Sequence, residues 1–333
     1  MSGGVDSSVA ALLLKQKGYN VVGVYIKGWS LTGCAEDDVR DARRVAGVLS
    51  IPFYVFDFEK EFKKAVVDYM ISGYQKGETP NPDVMCNKEI KFGLFLKKAL
   101  ELGADYIATG HYVKIKNCKL KIAKDLNKDQ SYFLWTLTQG RLKRCLFPIG
   151  DYTKPQIRAL AKKYNLPTAD KPDSQGVCFI GEIDVAEFLK EKLGKKPGPI
   201  LTLDGKKIGV HDGFNFYTIG QRKGIGSTGG GIPYYVAKKD FKKNTLIVAE
   251  AEDAALFAKE LTIKDINWIS GKAPKLPLKC LARIRYRQQL QQGQIVEFSK
   301  VIFDAPQRAV TPGQSAVFYN KRGEMLGGGI IKY

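Results

Sequence analysis

Apolar residues recur at helical spacing in VAALLLKQ after Asp6, and Gly18 closes that run, so a helix is predicted there. The next apolar stretch, VVGVYIK from Val21, is continuous in the manner of a buried strand. Val39, Ala42, Val45, Ala46 and Leu49 then form one helical stripe, and FYVFDF from Phe53 reads as a second strand. Alternation of this kind over the first 110 residues predicts an α/β domain with a mainly parallel sheet. A Lys- and Phe-rich helix runs to about Gly73. The following GETPNPDVMCNKE, with two prolines, Asn and Asp, predicts an exposed loop. YIATGH from Tyr106 predicts a strand ending in a glycine, residues 113–122 a hairpin, and residues 154–164 a helix.

Past Leu193 the texture changes to short alternating strands punctuated by Gly, Pro and the turns Asp204-Gly205 and Asp212-Gly213. From Lys259 to Tyr333 the alternation continues through KCLARIRYR, QIVEFS, AVFYN and GGGIIKY, as in a small barrel or sandwich. Three domains are therefore expected: an α/β domain over residues 1–192, a small β-rich domain over 193–258, and a C-terminal β-barrel over 259–333. A length of 333 residues with 44% hydrophobic and 26% charged residues suits a globular chain with a sizeable core.

Charge narrows the class of partner. Fifty-three Lys and Arg against 34 Asp and Glu leave a net +19, which attracts polyanions: RNA, DNA or an acidic membrane surface. No apolar stretch is long enough to span a bilayer, and the amino end lacks the pattern of a signal peptide, so no membrane partner and a cytoplasmic location are expected. The six cysteines are far apart and form no C-x-x-C pair, which argues against a disulfide framework or a zinc ribbon; no metal site is expected in the protein.

Ser2-Gly3-Gly4-Val5-Asp6-Ser7-Ser8 places small residues where a chain would turn into a helix. Glycines let backbone approach an anion, hydroxyls and N–H groups point at it, and the helix N-terminus adds positive potential. It is not a Walker A loop, because no G-K-[ST] follows. The heptad resembles the PP-loop of the ATP pyrophosphatase superfamily, which cleaves ATP between its α and β phosphates. That resemblance implies ATP, with Mg²⁺ expected alongside it, and gives Asp6 a role in positioning metal or phosphates. In that superfamily an apolar strand precedes the loop, whereas this sequence starts at Met1. Losing a central parallel strand would strip hydrogen bonds from both neighbours, so a few further residues are expected ahead of Met1 in the cell.

Cys86 and Cys178 both lie in turn-like, polar surroundings, in TPNPDVMC and DSQGVCFIG. Thiol exchange between them needs a thiolate within disulfide reach, and Lys88 and Lys91 would favour ionisation of Cys86. Cys118, Cys145, Cys280 and Cys34 read instead as small buried hydrophobes. Asp83 reads either as an Asx-turn residue after Pro82 or as an acid or base.

The series TPNPDVMCNKEIKFG, TGHYV, NKDQSYFLW and DSQGVCFIGE resembles, in order and spacing along essentially the whole chain, the tRNA-specific 2-thiouridylases. The resemblance implies adenylation of the C2 oxygen of a tRNA wobble uridine in Lys, Glu and Gln acceptors, followed by sulfur transfer. It makes Cys178 the persulfide carrier, Cys86 its partner and Asp83 the general acid or base. It places Ile26 and Gly110 with the loop heptad at the nucleotide. It assigns Asn81, Pro82, Asp83, His111, Lys128, Asp129, Gln130, Arg285, Tyr286 and Gln314 to RNA contact. The partners it implies are tRNA and a persulfide donor, and a monomer is expected.

The residues alone leave alternatives open. Arg283, Arg285 and Arg287 alternate as if along a strand, predicting a stripe of guanidinium groups suited to a phosphate backbone. QRK at residues 221–223 predicts a further RNA-facing turn. Another PP-loop ligase would not need the two cysteines, and an inert RNA-binding sulfur carrier would not need the loop. An iron–sulfur cluster on Asp83, Cys86 and Cys178 is disfavoured by their spacing.

Overall fold

The computed structural model describes residues 1–31, 35–173, 185–225 and 233–332. The first helix is Val5–Gln16, where Val9, Ala10, Leu12 and Leu13 turn inward. Gly18, at φ +82°, ends it in the left-handed conformation that glycine adopts without strain. Strands Gly23–Lys27 and Phe53–Asp57 pair in parallel around the helix Ala35–Val48, whose Ala42, Val45 and Ala46 are buried. A second parallel pair joins Ile107–Ala108 to Cys145–Leu146. The helix Lys154–Lys163 packs Ile157 and Ala161 against the first helix. Residues 114–116 and 119–121 form the expected hairpin.

One expectation fails. The proline-rich stretch is not an exposed loop: a continuous helical run spans residues 82–101, α-helical at Pro82–Met85, π-helical at Cys86–Phe95 and α-helical again at Leu96–Glu101. Asn81 is its N-cap, accepting from the Val84 N–H at 3.3 Å, and Pro82 occupies the first turn, where its missing N–H has no helical partner to lose. The residues that suggested a loop are those that start a helix.

In the middle of the chain, Gly198–Thr202, Lys207–His211, Tyr234–Asp240 and Thr245–Glu250 form a four-stranded sheet in which only the first and last of these run parallel. Six strands then close an antiparallel barrel: Phe257–Trp268, Leu278–Arg283, Gln291–Glu297, Lys300–Arg308, Ser315–Tyr319 and Met325–Lys332. Closure leaves no exposed edge. The barrel does not stand apart, because Val317, Tyr319 and Met325 share a core with Val113, Tyr132, Leu134 and Trp135 of the first domain.

Candidate functional site

Gly4, the N-cap of the first helix, makes no side-chain capping bond, so the helix presents its positive end without a cap of its own. Gly3 sits at φ +73°, and a Cβ there would lie 2.6 Å from the Asp38 carbonyl oxygen. Only glycine fits. The Ser7 and Ser8 hydroxyls donate to the Gly4 carbonyl at 3.1 and 2.8 Å, and the Ser2 N–H donates to Ser7 Oγ at 3.1 Å. Residues Ser2 to Ser8 thus form a compact turn opening onto a helix, with the chemistry of an anion cradle.

Gly110 closes onto that turn. A Cβ there would fall 2.7 Å from the Ser7 backbone nitrogen and 2.8 Å from the Asp6 carbonyl carbon, so the end of the Ile107–Ala108 strand abuts the first turn of the helix. Ile26 is half-buried beside the cluster of Phe58, Phe62 and Val66.

Asp6 is held by groups that the sequence did not single out. Its carboxylate accepts from the Tyr112 hydroxyl at 2.7 Å and from Lys154 Nζ at 2.8 Å. Lys154 also pairs with Asp173 at 2.9 Å, and Asp173 accepts from Lys128 at 2.6 Å and Arg158 at 2.7 Å. Burial opposes ionisation of Asp173, but hydrogen bonds from Lys128 and Lys154 outweigh it and hold the carboxyl well below the usual range. Lys154 showed in the sequence only as the start of a helix; the chemical signal was its position beside the phosphate turn, which requires the fold.

On the helix that Asn81 starts, Asp83 and Cys86 are one turn apart and share a face. Burial raises the Asp83 carboxyl above its ordinary value, against the pull of Lys91. Cys86 is 6% exposed. Burial raises its thiol above the ordinary value, Lys91 opposes and Asp83 adds to the rise. The expectation of an ionised Cys86 is therefore corrected: desolvation outweighs the lysine, and Lys88 pairs with Glu89 at 3.0 Å. His111 is buried between Phe92 and Phe147 and bonded to the Thr109 hydroxyl at 2.8 Å. Burial, with Lys91 adding, keeps it neutral. Cys178, and with it the expected pairing to Cys86, lies outside the described residues, as do Cys34 and most of DSQGVCFIGE. Of the other cysteines, Cys145 and Cys280 are buried and Cys118 is half-buried. Among the described residues no three His, Cys, Asp or Glu side chains converge as metal ligands.

The expected RNA residues divide. The Leu278–Arg283 strand ends before an arginine stripe can form. Arg283 is buried against Asp129 at 2.8 Å, Arg285 donates to the Ala309 carbonyl at 2.9 Å, and Arg287 has φ +63° with its guanidinium over the Tyr286 ring. Asp129 is spent internally on Ala123 N–H, Ser131 and Arg283, which corrects its reading as a surface contact. Gln130 exchanges hydrogen bonds with the Tyr112 backbone, so it locks the turn beside Asp6. Lys128 stays half-buried on Asp173. The Tyr286 ring lies tilted against Phe133, with centroids 4.7 Å apart, and Gln314 donates to the Thr79 carbonyl at 2.7 Å, two residues before Asn81. The residues 221–223 turn is exposed apart from Gln221, which donates to Lys223 O.

Three domain families match the chain in series: a tRNA methyl transferase HUP domain over residues 1–182, a tRNA methyl transferase PRC-barrel domain over 186–250 and an aminomethyltransferase beta-barrel domain over 258–331. The chain is similar to tRNA-specific 2-thiouridylase MnmA 2 of Geobacillus kaustophilus, at 49% identity over 99% of this chain and 93% of that one. It is similar to tRNA-specific 2-thiouridylase MnmA of Geobacillus thermodenitrificans at 48% identity, with coverage of 99% and 93%. The enzyme of that name from Halalkalibacterium halodurans is 47% identical, with coverage of 100% and 93%.

Proposed function

The chain belongs to the tRNA-specific 2-thiouridylase family, and from that premise we propose how its residues carry out the replacement of a uridine C2 oxygen by sulfur. It is a tRNA sulfurtransferase, and the observation that carries this is 49% identity sustained over 99% of the chain. The C2 carbonyl is a poor electrophile with a poor leaving group. ATP converts its oxygen to an adenylate, a sulfur nucleophile attacks C2, and AMP departs.

The Ser2–Ser8 turn receives the pyrophosphate end of ATP. Its fit rests on the open helix N-terminus and on Gly3, whose cradle any larger residue would fill. Mg²⁺ arriving with ATP would neutralise phosphate charge, with Asp6 the carboxylate in reach of that turn; the chain supplies no fuller ligand set among the described residues. Residues 1–192 do this chemistry, 193–258 brace it, and 259–333 grip RNA through Arg285, Tyr286 and Gln314.

Asp83, neutral more readily than an ordinary carboxyl, is suited to hold a proton near the base; the terminal sulfur of a Cys178 persulfide attacks C2 as AMP departs, and the Cys86 thiol then attacks the Cys178 sulfur, breaking the S–S bond and leaving the terminal sulfur on C2. A disulfide between Cys86 and Cys178 results and is reduced before the next turnover. The wobble uridine of Lys, Glu and Gln tRNAs is the target, a separate persulfide-bearing protein is the sulfur source, and the enzyme works as a cytoplasmic monomer.

The test is to incubate the chain with ATP, Mg²⁺, a persulfide source and tRNA, then digest the RNA and separate its nucleosides by mass. Appearance of 2-thiouridine together with AMP supports the reading. Its absence while Cys86 remains reactive would overturn it.

A further inference from the structure

Asn87 follows Cys86 and is 2% exposed. Its Nδ2 donates to the Phe133 carbonyl at 3.3 Å. A carbonyl only accepts, so that bond fixes which end of the amide faces Phe133 and leaves Oδ1 pointing elsewhere. Among the described residues Oδ1 has no hydrogen-bond partner. A buried acceptor left unpaired is costly, and such an atom beside a reactive group calls for a reason.

Asp83, Cys86 and Asn87 are spaced i, i+3 and i+4, so the orphan acceptor lies within one turn of the two groups assigned to the chemistry. A base whose C2 is brought to Cys86 would come within reach of that turn, and its docking would have to uncover Oδ1, which the folded chain leaves buried. The amide's other end is tied to the Phe133 carbonyl, and the Phe133 ring lies tilted against Tyr286 with centroids 4.7 Å apart, so Asn87 also bridges the Cys86 helix to the side assigned to RNA.

We propose that Asn87 Oδ1 accepts the N3–H of the target uracil and thereby selects uridine over cytidine. N3 is bonded to C2, the carbon at which sulfur replaces oxygen, so an acceptor one residue from Cys86 stands where N3 is presented. Cytosine has a lone pair at N3 in place of that proton, and it would face the amide oxygen lone pair to lone pair. A buried group built to bond a substrate N–H rejects a partner lacking it more strongly than an apolar pocket rejects a change of size. The inference rests on the 2-thiouridylase reading and adds to it the residue that reads the base.

The experiment compares two tRNA transcripts, one with uridine at the thiolated position and one with 3-deazauridine, which keeps the ring's size, replaces N3–H by C–H and carries a hydroxyl at C4, so the Asn87 variants isolate the part of any preference that this residue supplies. Affinities are measured for the wild-type chain, Asn87→Leu and Asn87→Ala, with circular dichroism reporting folding. Wild type should prefer uridine roughly 10-fold or more, and both variants should bind the two transcripts alike. A purely structural role for Asn87 would weaken both transcripts equally and leave the preference intact, which would overturn the inference. So would a wild-type chain with no preference, a result that needs no variant to fold. If wild type forms no 2-thiouridine on the natural transcript, the functional reading itself fails; if it does so while the variants keep the preference, only the role of Asn87 falls.

Discussion

Replacing Arg283 by Met should destabilise the chain by about 3 kcal/mol without touching a catalytic group. The Arg283 and Asp129 side chains are 6% and 0% exposed and meet at 2.8 Å, joining a barrel strand to the segment that carries Lys128 and Gln130. Breaking a buried pair from one side leaves an uncompensated charge, at a typical cost of ~3–5 kcal/mol. Asp129 would keep hydrogen bonds from Ala123 N–H at 2.9 Å and from the Ser131 hydroxyl at 2.8 Å, which puts the expected loss at the low end. Cooperative unfolding at ~2.1 cal/mol/K per residue gives an entropy of roughly 0.7 kcal/mol/K for this length, so the melting temperature should fall by about 4 °C. Adding Asp129→Asn to the variant removes the stranded charge and should recover at least about half of that loss. Differential scanning calorimetry of the wild type, single and double variants decides the matter. A single variant that melts within about 1 °C of wild type, or a double variant no better than the single, would refute the argument from buried charge.

Gly110→Ala would put a methyl group 2.7 Å from the Ser7 nitrogen, and the phosphate turn must shift to admit it. ATP affinity should drop about tenfold or more, measured by equilibrium dialysis; unchanged affinity would separate Gly110 from the nucleotide. The raised Cys86 thiol stays protonated past its ordinary 9.0, so iodoacetamide labelling of the native chain, mapped to Cys86 by peptide mass, should climb about tenfold per pH unit from 7 to 9. A plateau near neutral pH would mean a stable thiolate. Burial depresses Lys239 from 10.5 to about 7, so between those values the unfolded chain binds more protons than the folded one and stability rises with pH. Lys239→Met lacks that group, so wild type should gain on the variant in urea midpoint between pH 7 and 9.5, and parallel curves would contradict this burial.

The first helix, the hairpin and the closed barrel were legible because hydrophobic periodicity and turn residues act locally, and Gly18 ended its helix where the pattern did. The Asn81–Cys86 segment was misread because Asn and Pro suit both a loop and a helix start; the choice lay in whether the following apolar residues, Val84, Ile90 and Phe92, had a core to pack against, and they do. The arginine stripe failed for a related reason. Alternation gives the face a residue occupies while a strand lasts, but the strand ends at Arg283, and a buried Asp129 from another domain captured that side chain. The Ser2–Ser8 turn was readable as a motif. Its support by Tyr112, Lys154 and Asp173 was not, since all three lie more than a hundred positions from Asp6, and only the fold brings Tyr112 and Lys154 onto it and Asp173 onto Lys154.

The turn just ahead of the Cys86 helix ties both β-rich parts to the segment proposed to carry the chemistry. Gly77 lies so close under Phe241 that a Cβ would meet the ring at 2.0 Å, and its carbonyl accepts from the buried Lys239 at 3.0 Å. Glu78 pairs with Lys264 at 2.8 Å. The Thr79 N–H donates to the Pro312 carbonyl at 2.8 Å, its carbonyl accepts from Gln314 at 2.7 Å, and its hydroxyl donates to Thr218 at 3.3 Å. Two residues later Asn81 caps the helix that carries Asp83 and Cys86. The start of that helix therefore takes its position from the central sheet and the barrel as much as from its own domain. One short turn is thus all that separates the barrel contacts from the thiol, and Gln314, proposed to meet RNA, is bonded to that turn.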